Sequence, residues 1–284
     1  MLVTRRSFMK AAAAVPFLLP RQPTGRRISP VGLQLYTVRS EMQKDFEGTL
    51  ARVAAIGYRE VEFAGYFGRS PLEVRTILKR HGLDGVSAHV GFGTLGDQWP
   101  AIVEAARSIG HRYLVVPSID AATRAEPDSW PRIAERFNRA GAACKAAGIQ
   151  FAYHNHQFEF DRAGTAKRPY DILLESTDPS LVSMQMDLGW ITAAGQDPAA
   201  YFRLYPGRFS SVHVKDLKTL PPERPVLTDV GQGVIDWKRL LGQSWAAGIR
   251  HYFVEHDSPA SPFESIETSF RYVDALRVNV AAAR

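Results

Sequence analysis

From Val31 onward the chain alternates short β-like runs with amphipathic helical ones, eight times over, and this repetition constrains the fold more than any other feature. Strand-like runs occupy 32–36, 60–63, 85–90, 113–117, 149–154, 182–187, 209–214 and 252–255. Helical patterns lie between them at 47–56, 71–81, 99–109, 129–147, 170–175, 198–205 and 236–247, and a last one at 262–278 closes the chain. The first set alternates at period 2 and the second near period 3.6. Most helical runs end in a glycine just before the next strand (Gly57, Gly82, Gly110, Gly148, Gly248), where a left-handed cap is expected. Eight β/α units in roughly 250 residues is the count for a closed (β/α)8 TIM barrel. The rival, an open doubly wound sheet, usually places a Gly-rich phosphate turn after its first strand. Here that strand runs into Thr37-Val38-Arg39-Ser40. The expected architecture is therefore one α/β domain, a TIM barrel over 28–284.

Residues 1–27 read as a signal segment and linker. Thr4-Arg5-Arg6-Ser7-Phe8-Met9-Lys10 precedes an apolar run at 11–19 that contains Pro16. Such a run is too short to cross roughly 30 Å of hydrocarbon, and the paired arginines match a twin-arginine export signal. A periplasmic location and contact with the twin-arginine export machinery are the expectations. No clear Ala-x-Ala site follows, which leaves an uncleaved membrane tether as the alternative to a cleaved signal. The formal charge of +6 weakens accordingly: setting Arg5, Arg6, Lys10 and Arg21 aside from 35 cations leaves 31, against 29 acidic residues. The remaining basic residues form no run, so nucleic acid is not an expected partner. The single cysteine, Cys144, cannot form an intrachain disulfide and reads as a buried thiol.

In a barrel the active site lies at the carboxyl ends of the strands. In order, those ends present Gln34 and Tyr36, Glu62, His89, Ser118, then His154, Asn155 and His156, then Asp187, His213 with Lys215, and Glu255. A divalent ion needs three or four converging N/O donors. One from each of strands five to eight supplies them: His154, Asp187, His213 and Glu255. Any one alone would be an ordinary hydrogen-bonding residue; four on consecutive strands point to a metal. His156, Glu159 and Lys215 are the acid/base candidates, with a salt bridge to Glu255 or Asp187 as the alternative role for Lys215. Gln34, Tyr36, Glu62, His89 and Trp190 are the expected substrate contacts, Trp190 as a flat surface for a sugar face.

The chain from Ile28 onward resembles the xylose isomerase-like barrel family of sugar isomerases and epimerases, which also includes inosose dehydratases and endonuclease-IV-type enzymes. The resemblance rests on Gly32-Leu33-Gln34-Leu35-Tyr36, Tyr153-His154-Asn155-His156 with Glu159, Met186-Asp187-Leu188-Gly189-Trp190, His213-Val214-Lys215-Asp216, Gly231-Gln232-Gly233-Val234-Ile235-Asp236-Trp237 and Val254-Glu255. It implies Mn²⁺, Co²⁺, Mg²⁺ or Zn²⁺ at the ends of strands five to eight. Two departures stand out. The best-known epimerases of the family carry glutamate where this chain has His154, and histidine where it has Trp190. The His₂-Asp-Glu set brings two negative charges to the metal instead of three, which leaves a stronger Lewis acid.

The expected activity is metal-dependent isomerisation or epimerisation of a keto- or aldo-sugar or cyclitol through an enediolate. The alternative is a lyase or dehydratase acting on a 3-keto-glycoside or inosose through the same intermediate. A non-catalytic exported sugar-binding barrel is the third reading. A small carbohydrate is the expected partner, with a second copy of the chain as a further option.

Overall fold

The computed structural model describes residues 25–126, 128–162 and 166–279. Its centre is a closed barrel of eight parallel strands in chain order: β1 (Gly32–Gln34), β2 (Glu60–Phe63), β3 (Asp84–His89), β4 (Tyr113–Val116), β5 (Gln150–His154), β6 (Val182–Asp187), β7 (Phe209–Val214) and β8 (His251–Val254), which pairs back onto β1. The expected fold is the observed one. The helices are α1 (Arg39–Lys44), α2 (Phe46–Ile56), α3 (Pro71–His81), α4 (Trp99–Ile109), α5 (Ala121–Ala125), α6 (Ser129–Ala146), α7 (Pro169–Ser176), α8 (Leu188–Ala193), α9 (Pro198–Leu204), α10 (Trp237–Ala246) and α11 (Pro262–Ala275). The twin-arginine pattern lies outside the described residues. Among the described residues no helix is long and apolar enough to cross a membrane.

Helix α3 shows how local chemistry sets the limits of an element. Ser70 caps its start by accepting from the Glu73 N–H, Glu73 reciprocates on the Ser70 N–H, and Pro71 occupies the first turn. Gly82 ends it at φ 63°, a left-handed conformation that costs a β-carbon residue more. The long helix α6 buries Trp130, Ile133, Ala134, Phe137, Ala140, Gly141 and Cys144, a 3–4 spacing that keeps one face on the barrel. Burial pushes the Cys144 thiol up to about 12, so it stays protonated and inert.

Alternation along the strands sends Val212 and Val214 toward the helices and His213 inward. A register slip between Met184 and Gln185 sets Gln185 opposite Ser211 and Asp187 opposite His213. Such bulges re-aim side chains beside functional sites. Under the polar upper layer, Phe253 packs edge-on against His213, with ring centroids 6.1 Å apart. Its ring fills the space beside Gly32, where a Cβ would come within 2.6 Å of it.

The structure departs from the sequence expectation in several places, among them the unexpected short helices α1 and α5 and a first strand that stops at Gln34 rather than 36. The last helix stops at Ala275 rather than 278, because Arg277 and Val278 pair antiparallel with Arg26 and Arg27 at the foot of the barrel. The loop after β7 carries a small ribbon, Asp216–Leu217 against Leu227–Thr228. A short helix, α8, begins directly at the end of β6.

Candidate active site and metal centre

Three local devices position the side chains. Asp187 ends β6 and also caps α8, its Oδ1 accepting the Trp190 N–H at 2.8 Å. Gly189 lets α8 settle onto β7, since a Cβ there would lie 2.3 Å from the Lys215 carbonyl. Trp190 is thereby held with its ring 5.3 Å from Lys215 Nζ. The third device is Asp216, whose carboxylate accepts the N–H groups of Leu217 (2.8 Å), Gly231 (2.8 Å) and Gly233 (3.2 Å). It clips the long loop after β7, and a Cβ at Gly233 would meet Asp216 Oδ1 at 2.2 Å. The Gly231-Gln232-Gly233 stretch is therefore structural.

The barrel axis carries a buried ionic network. His213 donates from Nδ1 to Glu255 Oε2 at 2.8 Å and from Nε2 to Glu62 Oε1 at 2.7 Å. Burial alone would lower its pKa, but Glu255 and Glu62 overcome this and lift it to about 10. A cation held beside Glu255 would take the place of the Nδ1 proton and leave Nε2–H on Glu62. Glu62 also accepts from Gln34 (2.7 Å), Ser87 (2.6 Å) and Gln185 (2.6 Å), and lies 3.0 Å from His89 Nε2. Despite complete burial, His89 and His213 hold it well below the usual carboxylate range. Lys215, 1% exposed, reaches Asp257 at 2.7 Å, Glu255 at 2.9 Å and Asp187 Oδ2 at 3.2 Å. Burial opposes its charge, yet those carboxylates hold it above the usual lysine range. The salt-bridge role considered for Lys215 is thus present. Glu255 is held low by Lys215 and His213 in spite of burial, whereas burial raises Asp187 against the same two cations.

Asp187 Oδ2 is the exception in this network. It is buried and has no hydrogen-bond donor, because Lys215 Nζ, although 3.2 Å away, lies off the bonding direction. His154 Nε2 stands 3.8 Å from the same oxygen. Burial, with His213 and His156 adding to it, drives the His154 pKa far down, so its ring is neutral and fit to ligate. Donor atoms of Asp187, His213 and Glu255 lie within 4.8 Å of one another, as do those of His89, His154 and His213. Two imidazoles and two carboxylates around an oxygen with no donor fit a divalent cation. Of the four expected ligands, Asp187, His213 and Glu255 form one such group, while His154 groups with His89 and His213 and stands beside Asp187.

His156 lies beyond the end of β5, half-buried, with its ring parallel to Phe158 (5.9 Å, 9°) and 6.3 Å from Trp190. Its Nδ1 is buried with no hydrogen-bond partner. Glu159 does not touch this ring as expected: its carboxylate takes the Tyr153 hydroxyl and, at 2.9 Å, the His156 backbone N–H. Tyr153 belongs to the outward face of β5, so Glu159 sits behind the pocket, and burial raises its pKa to about 7. Among the expected substrate contacts, Gln34 is spent on Glu62 and on the Tyr36 N–H. Glu62 is likewise saturated, and both are braces within the barrel. Tyr36 stands exposed at the rim under the Arg39 guanidinium. His89 donates to Gln185 or Glu62 and stacks on His213 at 5.4 Å.

Sequence reasoning missed Gln185 and Asp257, and placed Asn155 at a strand end without giving it a role. Gln185 spans the barrel, linking Glu62, Ser211, His89 and His154. The signal was parity, since it lies two residues before Asp187; Asp257 likewise lies two after Glu255. Asn155 accepts the Asp187 N–H at 3.1 Å and ties two strand ends together.

The model of the xylose isomerase-like TIM barrel matches residues 50–273. The chain belongs to that family. Within it, an inosose dehydratase from Geobacillus kaustophilus is 23% identical over 278 residues, covering 83% of this chain and 88% of that one. An inosose dehydratase from Lacticaseibacillus casei is 28% identical over 169 residues, and the match spans about half that protein's length, 55%. Among solved structures of the barrel, a sugar phosphate isomerase/epimerase from Parabacteroides distasonis superposes with a TM-score of 0.75 at 26% identity, covering 89% of this chain and 96% of that one.

Proposed function

We propose that this barrel is a divalent-cation-dependent lyase that acts on a sugar or cyclitol bearing a keto group and expels a substituent β to that carbonyl. His154, Asp187, His213 and Glu255 would hold the ion, with Glu62 behind His213 Nε2 fixing the ring. Bound there, the ion would polarise the carbonyl and make the neighbouring C–H more acidic. The observation that carries the reading is the contrast between His156 and Lys215. His156 is an imidazole in the mouth whose buried Nδ1 has no partner, free to take a proton from the α-carbon and return it to the leaving oxygen. Lys215 is locked among three carboxylates and serves as a fixed positive charge. One proton carrier suffices for elimination and for isomerisation, whereas epimerisation needs a carrier on each face of the carbon, so this contrast argues against epimerisation alone. The inosose dehydratase relatives support the same ordering, which reverses the one expected from sequence.

A second reading, isomerisation, is favoured by the Parabacteroides distasonis structure. Turnover of keto-sugars and keto-cyclitols in D₂O separates the two. Loss of water or an alcohol with formation of an enone supports the lyase; deuterium incorporation with every substituent retained overturns it in favour of isomerisation.

The proposal extends to location: the twin-arginine pattern at Arg5-Arg6 suits a protein that folds and takes up its ion before export. Arg5→Lys/Arg6→Lys should keep the protein in the cytoplasm; unchanged periplasmic delivery in cell fractionation removes this part.

A further inference from the structure

Beside the ionic network lies a cavity of about 370 Å³, lined among the described residues by His156, Gln157, Phe158, Asp161 and Trp190. Its volume falls within the range of small-molecule sites, about 300–1,000 Å³. It shares His156 and Trp190 with the centre described above, and none of the proposed cation ligands lines it. Its walls are unusually well built for a rim. The Arg124 guanidinium sits 3.7 Å from the Phe158 ring centroid, and the His156 ring lies parallel to Phe158 with centroids 5.9 Å apart, so Phe158 is contacted by both groups. Trp190 is fixed independently by the Asp187 cap and the approach of α8 to Lys215. Trp190 Nε1 and His156 Nδ1 are both buried without a hydrogen-bond partner, and buried polar atoms rarely stay so in a finished complex. Gln157 and Asp161 add exposed polar groups at the edge.

Aromatic faces bordered by polar edge groups suit a sugar ring, which offers an apolar C–H face and a hydroxyl perimeter. We infer that this cavity is a leaving-group subsite for a second sugar residue, so that the substrate is a keto-disaccharide rather than a free keto-sugar or cyclitol. The inference rests on the lyase reading and names its leaving group. His156 stands on the boundary between the two spaces, where one group can serve both halves of the step. It removes the proton from the α-carbon, the electron pair forms the C=C bond, the glycosidic C–O bond on the β-carbon breaks, and the proton passes from His156 to the departing oxygen. An enone and an intact second sugar result, and no oxidant or reductant is consumed.

The test compares a keto-disaccharide with the matching free keto-sugar on the full-length, metal-loaded protein. The disaccharide should have a kcat/KM about 30-fold higher or more. Phe158→Ala should lower that ratio about tenfold, and Phe158→Tyr should restore it; the ratio is the readout because both substrates share any disturbance of His156. Equal kcat/KM for the two substrates, or a ratio unmoved by Phe158→Ala, overturns the subsite. If neither substrate eliminates, the lyase reading falls by itself, and calorimetry with the borohydride-reduced disaccharide then decides the cavity. Binding weakened about tenfold in Phe158→Ala supports the subsite, and no binding or equal binding overturns it.

Discussion

The first four strands and the last four bring similar side chains to the barrel axis and use them differently. Glu62, from β2, has both oxygens filled by Gln34, Ser87, Gln185 and His213. Asp187, from β6, receives one backbone N–H on Oδ1 and no donor on Oδ2. Both are buried carboxylates, and burial alone cannot tell them apart. What separates them is coordination: a saturated carboxylate holds its neighbours in place, while one whose second oxygen has only the Lys215 ion pair, and no hydrogen bond, can take a cation. The first half of the barrel is thus a brace and the second half the working face.

Removing the bare oxygen should give the largest effect. Asp187→Asn should cut bound divalent ion from about one per chain to near zero and lower kcat/KM by roughly 10³-fold, the several kcal/mol that a Lewis-acid ion supplies. Full metal content in this variant would erase the distinction between the halves. His156→Gln should keep the ion and lower kcat by roughly 10²–10⁴, the usual worth of a positioned acid/base; loss of metal instead would make His156 a ligand. On the brace side, Glu62→Gln should weaken metal affinity only about 10–100-fold. It should also destabilise the fold by about 3 kcal/mol, since His213 loses one of its two counter-charges in the interior. Denaturant titration and metal analysis of the same variant read both numbers, and a metal loss as severe as that of Asp187→Asn would place Glu62 on the working face.

The smallest effect on turnover belongs to Glu159, which lies outside both halves of the axis. Its folded pKa, about 7, stands above the ordinary value of 4.5. The stabilising contribution of its protonated form is therefore complete below pH 4.5 and is lost as pH rises through 7, about 3 kcal/mol in all. Glu159→Gln should grow more stable relative to the parent over that interval. Parallel stability curves for the two proteins would show that Glu159 does not titrate there.

Much of this arrangement was legible in the sequence because a closed barrel turns sequence position into spatial position. Runs ending in His154, Asp187, His213 and Glu255 must meet once their strands are neighbours and parallel. Where contacts depend on partners far along the chain, the sequence was silent. Arg277 and Val278 leave the last helix to pair with Arg26 and Arg27, a choice that no local propensity records. The partition of His154 and His156 was legible only in part. Both were assigned to one strand end, but β5 stops at His154, and the loop that follows sets His156 among Phe158 and Trp190. Glu159 was misread for the same reason: a loop residue three positions on can face either way, and Tyr153 drew it behind the strand.

The clasp of Arg26–Arg27 with Arg277–Val278 has a practical consequence. It joins the two ends of the described chain beneath the strands, on the side opposite the mouth. A bead, a surface or a fusion partner coupled near Gly25 or Asn279 would grip the molecule by its base. Immobilised in this way, every copy would present its pocket outward, and a carbohydrate could be passed over an oriented layer without the attachment point standing in its path.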